Sequence, residues 1–147
     1  MSRVALLDVN VLVALFDPDH VHHEASHDWF RQNRREGWAT CPMTENGLVR
    51  ILSNPAYTTA PESLGSIAGR LVAFCASGNH IFWPDEISLL DGRRIRLESR
   101  LSHRNLTDVY LLALARHRGG RLATFDRSIP PAAVVGAELS HLEVIPA

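Results

Sequence analysis

The first apolar stretch, Val4-Ala5-Leu6-Leu7, is continuous rather than alternating, and it stops at Asp8. Runs of that kind suit a strand buried on both faces, as in a parallel sheet. Val11 to Phe16 is apolar again and ends at Asp17-Pro18, which predicts a short helix directly after the carboxylate. From His20 to Arg35 the spacing is helical, with Ala25, Trp29 and Phe30 on one stripe, and Gly37 closes it. Trp38-Ala39-Thr40-Cys41 reads as a second strand, and Thr44-Glu45 opens a helix carrying Leu48, Val49 and Leu52. Asn54-Pro55 ends that helix, because the residue before a proline is pushed out of the helical region. After a polar link at 58–61, residues 62–76 form an amphipathic helix with Leu64, Ile67, Ala68, Leu71, Val72 and Cys75 as its apolar residues.

Ile81-Phe82-Trp83 is a third short strand, closed by Pro84. Residues 86–104 are rich in arginine and predict one or two short helices. Asn105-Leu106-Thr107-Asp108 then opens a helix that is apolar on nearly every side from Val109 to Ala115, the mark of a buried helix. Arg121 to Phe125 forms a fourth strand ending at Asp126, and Leu142 to Ile145 a fifth. Strand and helix alternate throughout. That order predicts an α/β fold: one domain over residues 1–147, a mainly parallel sheet of about five strands, and helices on both faces.

Composition narrows the class. The hydrophobic fraction is 46% and the charged fraction 21%, ordinary for a globular domain of 147 residues. Cys41 and Cys75 lie in apolar runs and read as reduced thiols, not a disulfide pair. No run approaches a membrane span and no secretory signal opens the chain, so the expected compartment is the cytoplasm, with no membrane partner. A net charge of -1 does not announce a nucleic-acid binder, but every basic residue other than histidine is an arginine. Arginine forks grip phosphate bidentately, and Arg93, Arg94, Arg96, Arg100 and Arg104 cluster in one stretch.

The acids carry the chemistry. Asp8 and Asp126 end the first and fourth strands, and sites form at that edge of open α/β sheets. Glu45 and Asp108 stand in the first turns of helices that begin at the same edge. Helix-dipole and turn roles would also account for Glu45, Asp108 and Asp126 taken singly. Asp8 is harder to dismiss, since an acid ending a buried strand costs several kcal/mol unless something positive faces it. A carboxylate-only site suits hard cations, Mg²⁺ or Mn²⁺, and such ions fit phosphodiester hydrolysis.

His23-Glu24-Ala25-Ser26-His27 also matches the zinc-hydrolase signature, with two histidines one helical turn apart. No third ligand follows at the extended spacing, and the ordinary reading of His20, His22, His23 and His27 is as surface and helix-start residues. A non-catalytic binding module is the other alternative; it would be expected to have lost part of the acid set.

Four segments together resemble one family. Leu6 to Leu15, Thr44 to Leu52, Leu106 to Ala115 and Leu122 to Arg127 are similar, in order, to the four motifs of PIN-domain ribonucleases. The compact chain is similar to the VapC-type toxins of toxin–antitoxin pairs. The resemblance implies an endoribonuclease that uses one or two Mg²⁺ or Mn²⁺ ions. It carries Asp8, Glu45, Asp108 and Asp126 over as the metal-holding acids. Asn10, Thr107 and Thr124 fall at polar positions flanking them, where supporting hydrogen bonds are expected. Arg50 and the arginine cluster are the candidates for RNA contact. The implied partners are RNA, a VapB-like antitoxin and a second copy in a homodimer, with DNA reached only through the antitoxin.

Overall fold

The computed structural model describes residues 3–98 and 100–147. Five strands form one sheet: β1 (Ala5–Leu7), β2 (Trp38–Thr40), β3 (His80–Phe82), β4 (Arg121–Thr124) and β5 (Leu142–Val144). Their order is β3-β2-β1-β4-β5, and every pairing is parallel. The chain therefore winds outward from β1 in one direction to β3, then returns to β1's other side for β4 and β5. The reversal lies between β1 and β4, the crevice where doubly wound sheets bind ligands.

Successive residues of a strand face opposite ways, and the core is divided accordingly. Ala5, Leu7, Trp38 and Ala123 pack with α1 (Val9–Phe16), α2 (His23–Asn33), α3 (Pro42–Leu52) and α4 (Leu64–Cys75). Leu6, Ala39 and Leu122 face the other way, onto α5 (Leu106–His117). Seven consecutive residues of α5, Val109 to Ala115, are buried. One side of the helix meets the sheet. The other is covered by Ile95, Ile129, Ala133 and Val134 from irregular segments, which is why an all-apolar helix is stable here.

Those irregular segments are where the structure departs from expectation. Residues 86–98 form no helix; at Arg94–Arg96 the backbone pairs instead with the segment after β4. Ile95 bridges Val134 antiparallel, Arg96 N–H donates to Ala133 O at 2.8 Å, and Val135 N–H donates to Arg94 O at 2.8 Å. A single 3-10 turn, His103–Asn105, leads into α5. The apolar residues Ile87, Leu89, Ile95 and Leu101 lack a helical period and serve as anchors onto α5.

Where α1 begins, α3 comes unusually near. A Cβ on Gly47 would sit 2.7 Å from Val9 Cγ2, so only glycine permits this approach. Val9 follows Asp8 directly, and the close crossing helps set the position of the β1–α1 junction.

Candidate active site

Asp8 caps α1. One carboxylate oxygen accepts from Val9 N–H at 2.7 Å and the other from the Thr124 hydroxyl at 2.7 Å. The residue is only 4% exposed. Burial raises its pKa, the two hydrogen bonds work against that rise, and the charge of Asp126 adds to it.

Thr124, the last residue of β4, is the hub of this arrangement. Its hydroxyl donates to Asp8 and accepts from Asn10 Nδ2 at 3.2 Å and from Asp126 N–H at 3.0 Å. One donor and two acceptors are the full capacity of a hydroxyl, so its orientation is determined. Asn10 completes the link by accepting from Phe125 N–H at 3.3 Å. The ends of β1 and β4 are thus joined by two polar side chains, Asn10 and Thr124, that the sequence places beside the acids. Thr107 differs: it is exposed and lines the cavity wall itself.

Asp108, in the first turn of α5, faces the same place. Its pKa is pushed up to about 7, first by burial, then by the charge of Asp8 and by a hydrogen bond and charge from Asp126. Asp126 moves the other way. The Ser128 hydroxyl donates to its Oδ1 at 2.6 Å and Ser128 N–H at 2.8 Å, and these bonds hold its carboxyl below the usual range. Burial and the neighbouring acids thus favour the protonated form of Asp108 while Asp126 stays charged, and the three acids repel one another when all are ionised.

These three acids line a cavity of about 640 Å³ together with Asn10, Arg50 and Thr107. Glu45 is placed elsewhere. Its carboxylate accepts from Thr40 Oγ1 at 2.8 Å, and it lines a neighbouring cavity beside Cys75 and His80. The structure therefore brings Asp8, Asp108 and Asp126 together and leaves Glu45 on the adjoining face of α3.

The arginines divide similarly. Arg50 is exposed on the carboxylate cavity and makes no ion pair among the described residues. Arg93 and Arg94 pair with Asp91, and Arg96 donates to Ala132 O at 2.8 Å. Arg100 and Arg104 are exposed, and none of these five lines the carboxylate cavity.

The zinc-like motif is structural. His23 donates through Nδ1 to Ala14 O at 2.7 Å and His27 through Nε2 to Leu15 O at 2.9 Å. Both satisfy carbonyls in the last turn of α1, which a helix end leaves without partners. The rings are half-buried; His23 does start α2, as expected, but it and His27 dock α2 onto the end of α1 and do not lie free on the surface.

Sequence reasoning did not single out Tyr57, Asn54 or Ser128. Asn54 is legible only as a helix stop, and Tyr57 carries no signal of its own. A carboxylate followed two residues later by serine is the one local signal that would have found Ser128.

Three carboxylates at a sheet's switch point leave the family open, and comparison with known proteins closes it. Residues 5–134 match the family model described as the PIN domain. The chain belongs to the PIN-domain family. Within it, this PIN domain is 44% identical over 132 residues to Ribonuclease VapC39 of Mycobacterium tuberculosis, covering 90% of the chain and 95% of that relative. It is 43% identical over 141 residues to Ribonuclease VapC44 of the same organism, covering 96% and 99%. Among solved structures it resembles VapC20 of M. tuberculosis, described as a Sarcin-Ricin loop cleaving toxin, with a TM-score of 0.61 at 14% identity over 91% of this chain and 98% of that one. At that identity the likeness speaks to the fold. No helix among the described residues is long and apolar enough to cross a membrane.

Proposed function

We propose that this PIN domain is a VapC-type toxin, an endoribonuclease that hydrolyses RNA phosphodiester bonds with one or two Mg²⁺ or Mn²⁺ ions. The observation that carries the proposal is the convergence of Asp8, Asp108 and Asp126 on one cavity at the switch point, where burial first, and then the neighbouring acids, push the Asp108 pKa up to about 7. Among the described residues no three acids stand close enough to form a ready-made metal cluster, but the chemistry of these oxygen-only side chains suits a hard divalent cation, which would compete with the proton on Asp108. When bound, such an ion polarises the phosphoryl group and acidifies water.

The chain supplies the positioning. Thr124 and Val9 fix both oxygens of Asp8, and Ser128 fixes Asp126. Arg50, exposed on the cavity wall, holds a backbone phosphate in this reading. Water attacks phosphorus in line and the P–O3′ bond breaks, giving 5′-phosphate and 3′-hydroxyl ends. Glu45 assists from the neighbouring face, and exposed Arg100 and Arg104 extend the contact with RNA. By the same kinship the protein acts in the cytoplasm as a homodimer, is restrained by a VapB-like antitoxin, and meets DNA only through it.

The test is cleavage of total RNA by purified, antitoxin-free protein with Mg²⁺ or Mn²⁺ against EDTA, alongside Asp8→Asn. Discrete fragments that require both metal and Asp8 are expected. Full activity in Asp8→Asn, or in EDTA, would overturn the assignment, and silence under every condition would favour a non-catalytic module.

A further inference from the structure

The cavity has a second wall that the acids do not explain. Opposite chemistry gathers there: Tyr57, Asn54 and His20, over apolar Val13 and Ile51. Tyr57 is 39% exposed, a large ring left open in a loop. Its hydroxyl donates to Asp17 Oδ2 at 2.6 Å, and its N–H donates to Asn54 O at 3.0 Å. The ring is therefore tethered at both ends while part of its surface stays in solvent.

Two neutral donors accompany the ring. His20 Nδ1 accepts from His22 N–H at 3.0 Å, which places the ring proton of a neutral imidazole on Nε2. Burial favours that neutral form. Asn54 uses its side-chain oxygen to accept from Ala56 N–H at 2.9 Å, and its amide nitrogen makes no hydrogen bond among the described residues.

A wall meant only for phosphate would carry charge. This one combines a tethered aromatic ring, apolar flooring and uncharged donors, the chemistry that recognises an unpaired nucleobase by its flat face and polar edge. We propose that this wall is a nucleobase subsite, in which the unpaired base beside the scissile phosphate stacks on Tyr57 while His20 and Asn54 meet acceptors on its edge. The inference rests on the ribonuclease reading above and adds the part of the substrate that selects where the strand is cut. Arg50, on the same cavity, takes the adjoining phosphate.

The experiment measures binding without cleavage. In the Asp8→Asn protein, a short fluorescein-labelled single-stranded RNA of random sequence is titrated and followed by anisotropy, beside an abasic oligoribonucleotide of equal length. Tyr57→Leu is expected to weaken RNA binding roughly ten-fold, the usual scale for losing one base stack, and to leave abasic binding where it was. Tyr57→Trp and Tyr57→Phe, which keep a ring, should restore most of the loss, and melting curves show whether each variant is folded. With Asp8 intact, Tyr57→Leu should raise KM more than it lowers kcat. Unchanged RNA binding in Tyr57→Leu, an equal loss for both strands, or no binding of RNA by the parent would overturn the subsite. The nuclease reading fails by a different result, the absence of metal-dependent cleavage by the unaltered protein.

Discussion

At the scale of single residues, the site depends on one hydroxyl. Thr124 touches Asp8, Asn10 and the Asp126 backbone at once. Thr124→Val keeps the shape but strands those groups without a partner inside the protein. The expected cost is about 1–3 kcal/mol of stability and an activity loss of roughly ten-fold or more, because Asp8 loses its orientation. Urea melts and initial cleavage rates measure the two; wild-type rates would show that Thr124 is mere filler. Glu45→Gln should cost less activity than Asp8→Asn, since Glu45 lies on Thr40 and not among the three acids. Equal losses would mean that Glu45 enters the reaction after all. Much of this was legible in the chain. An acid that ends a buried strand demands a partner, so Asp8 stood out. Tyr57 did not, because its importance comes from a loop folding back over Asp17, and no local pattern records that.

At the scale of elements, periodicity served well wherever one face met the sheet. All five strands and the long helices lie where the apolar runs put them. It failed at 86–98, because a segment held by backbone pairing to a distant stretch carries no period of its own. The close crossing of α1 and α3 is likewise invisible until the helices are placed. Gly47→Ala would drive a methyl group into Val9, forcing the helices apart at the start of α1. A loss of about 1–3 kcal/mol is expected from the overpacking, together with reduced activity, since Asp8 is the residue before Val9. A Tm equal to wild type would show that α3 can move aside freely.

For the whole molecule, the acid cluster ties stability to pH and metal. Asp108 titrates near 7 in the folded state and near 3.8 when unfolded, so the metal-free fold binds the extra proton. Its contribution is fully present below the unfolded pKa and is lost as pH rises toward the folded one. The metal-free protein should therefore become less stable between about pH 4 and pH 7, on the order of 1–2 kcal/mol after allowing for a half-exposed carboxyl. Asp108→Asn should flatten that slope. Added Mg²⁺ or Mn²⁺ competes with the proton, so it should raise Tm more at pH 7.5 than at pH 5. Scanning calorimetry across pH, with and without metal, checks all three, and a slope in Asp108→Asn as steep as in wild type would refute the role of Asp108.

The bond between Asp8 and Thr124 also has a bearing on time. It spans 116 positions of sequence, and Asp126 arrives later still. A nascent chain stopped before Arg121 holds Asp8 but has neither its hydroxyl partner nor the third acid. For the RNA-cutting activity proposed above, synthesis itself would act as a safety catch: the protein is assembled on an RNA machine, and its acid cluster closes only when most of its chain has been made.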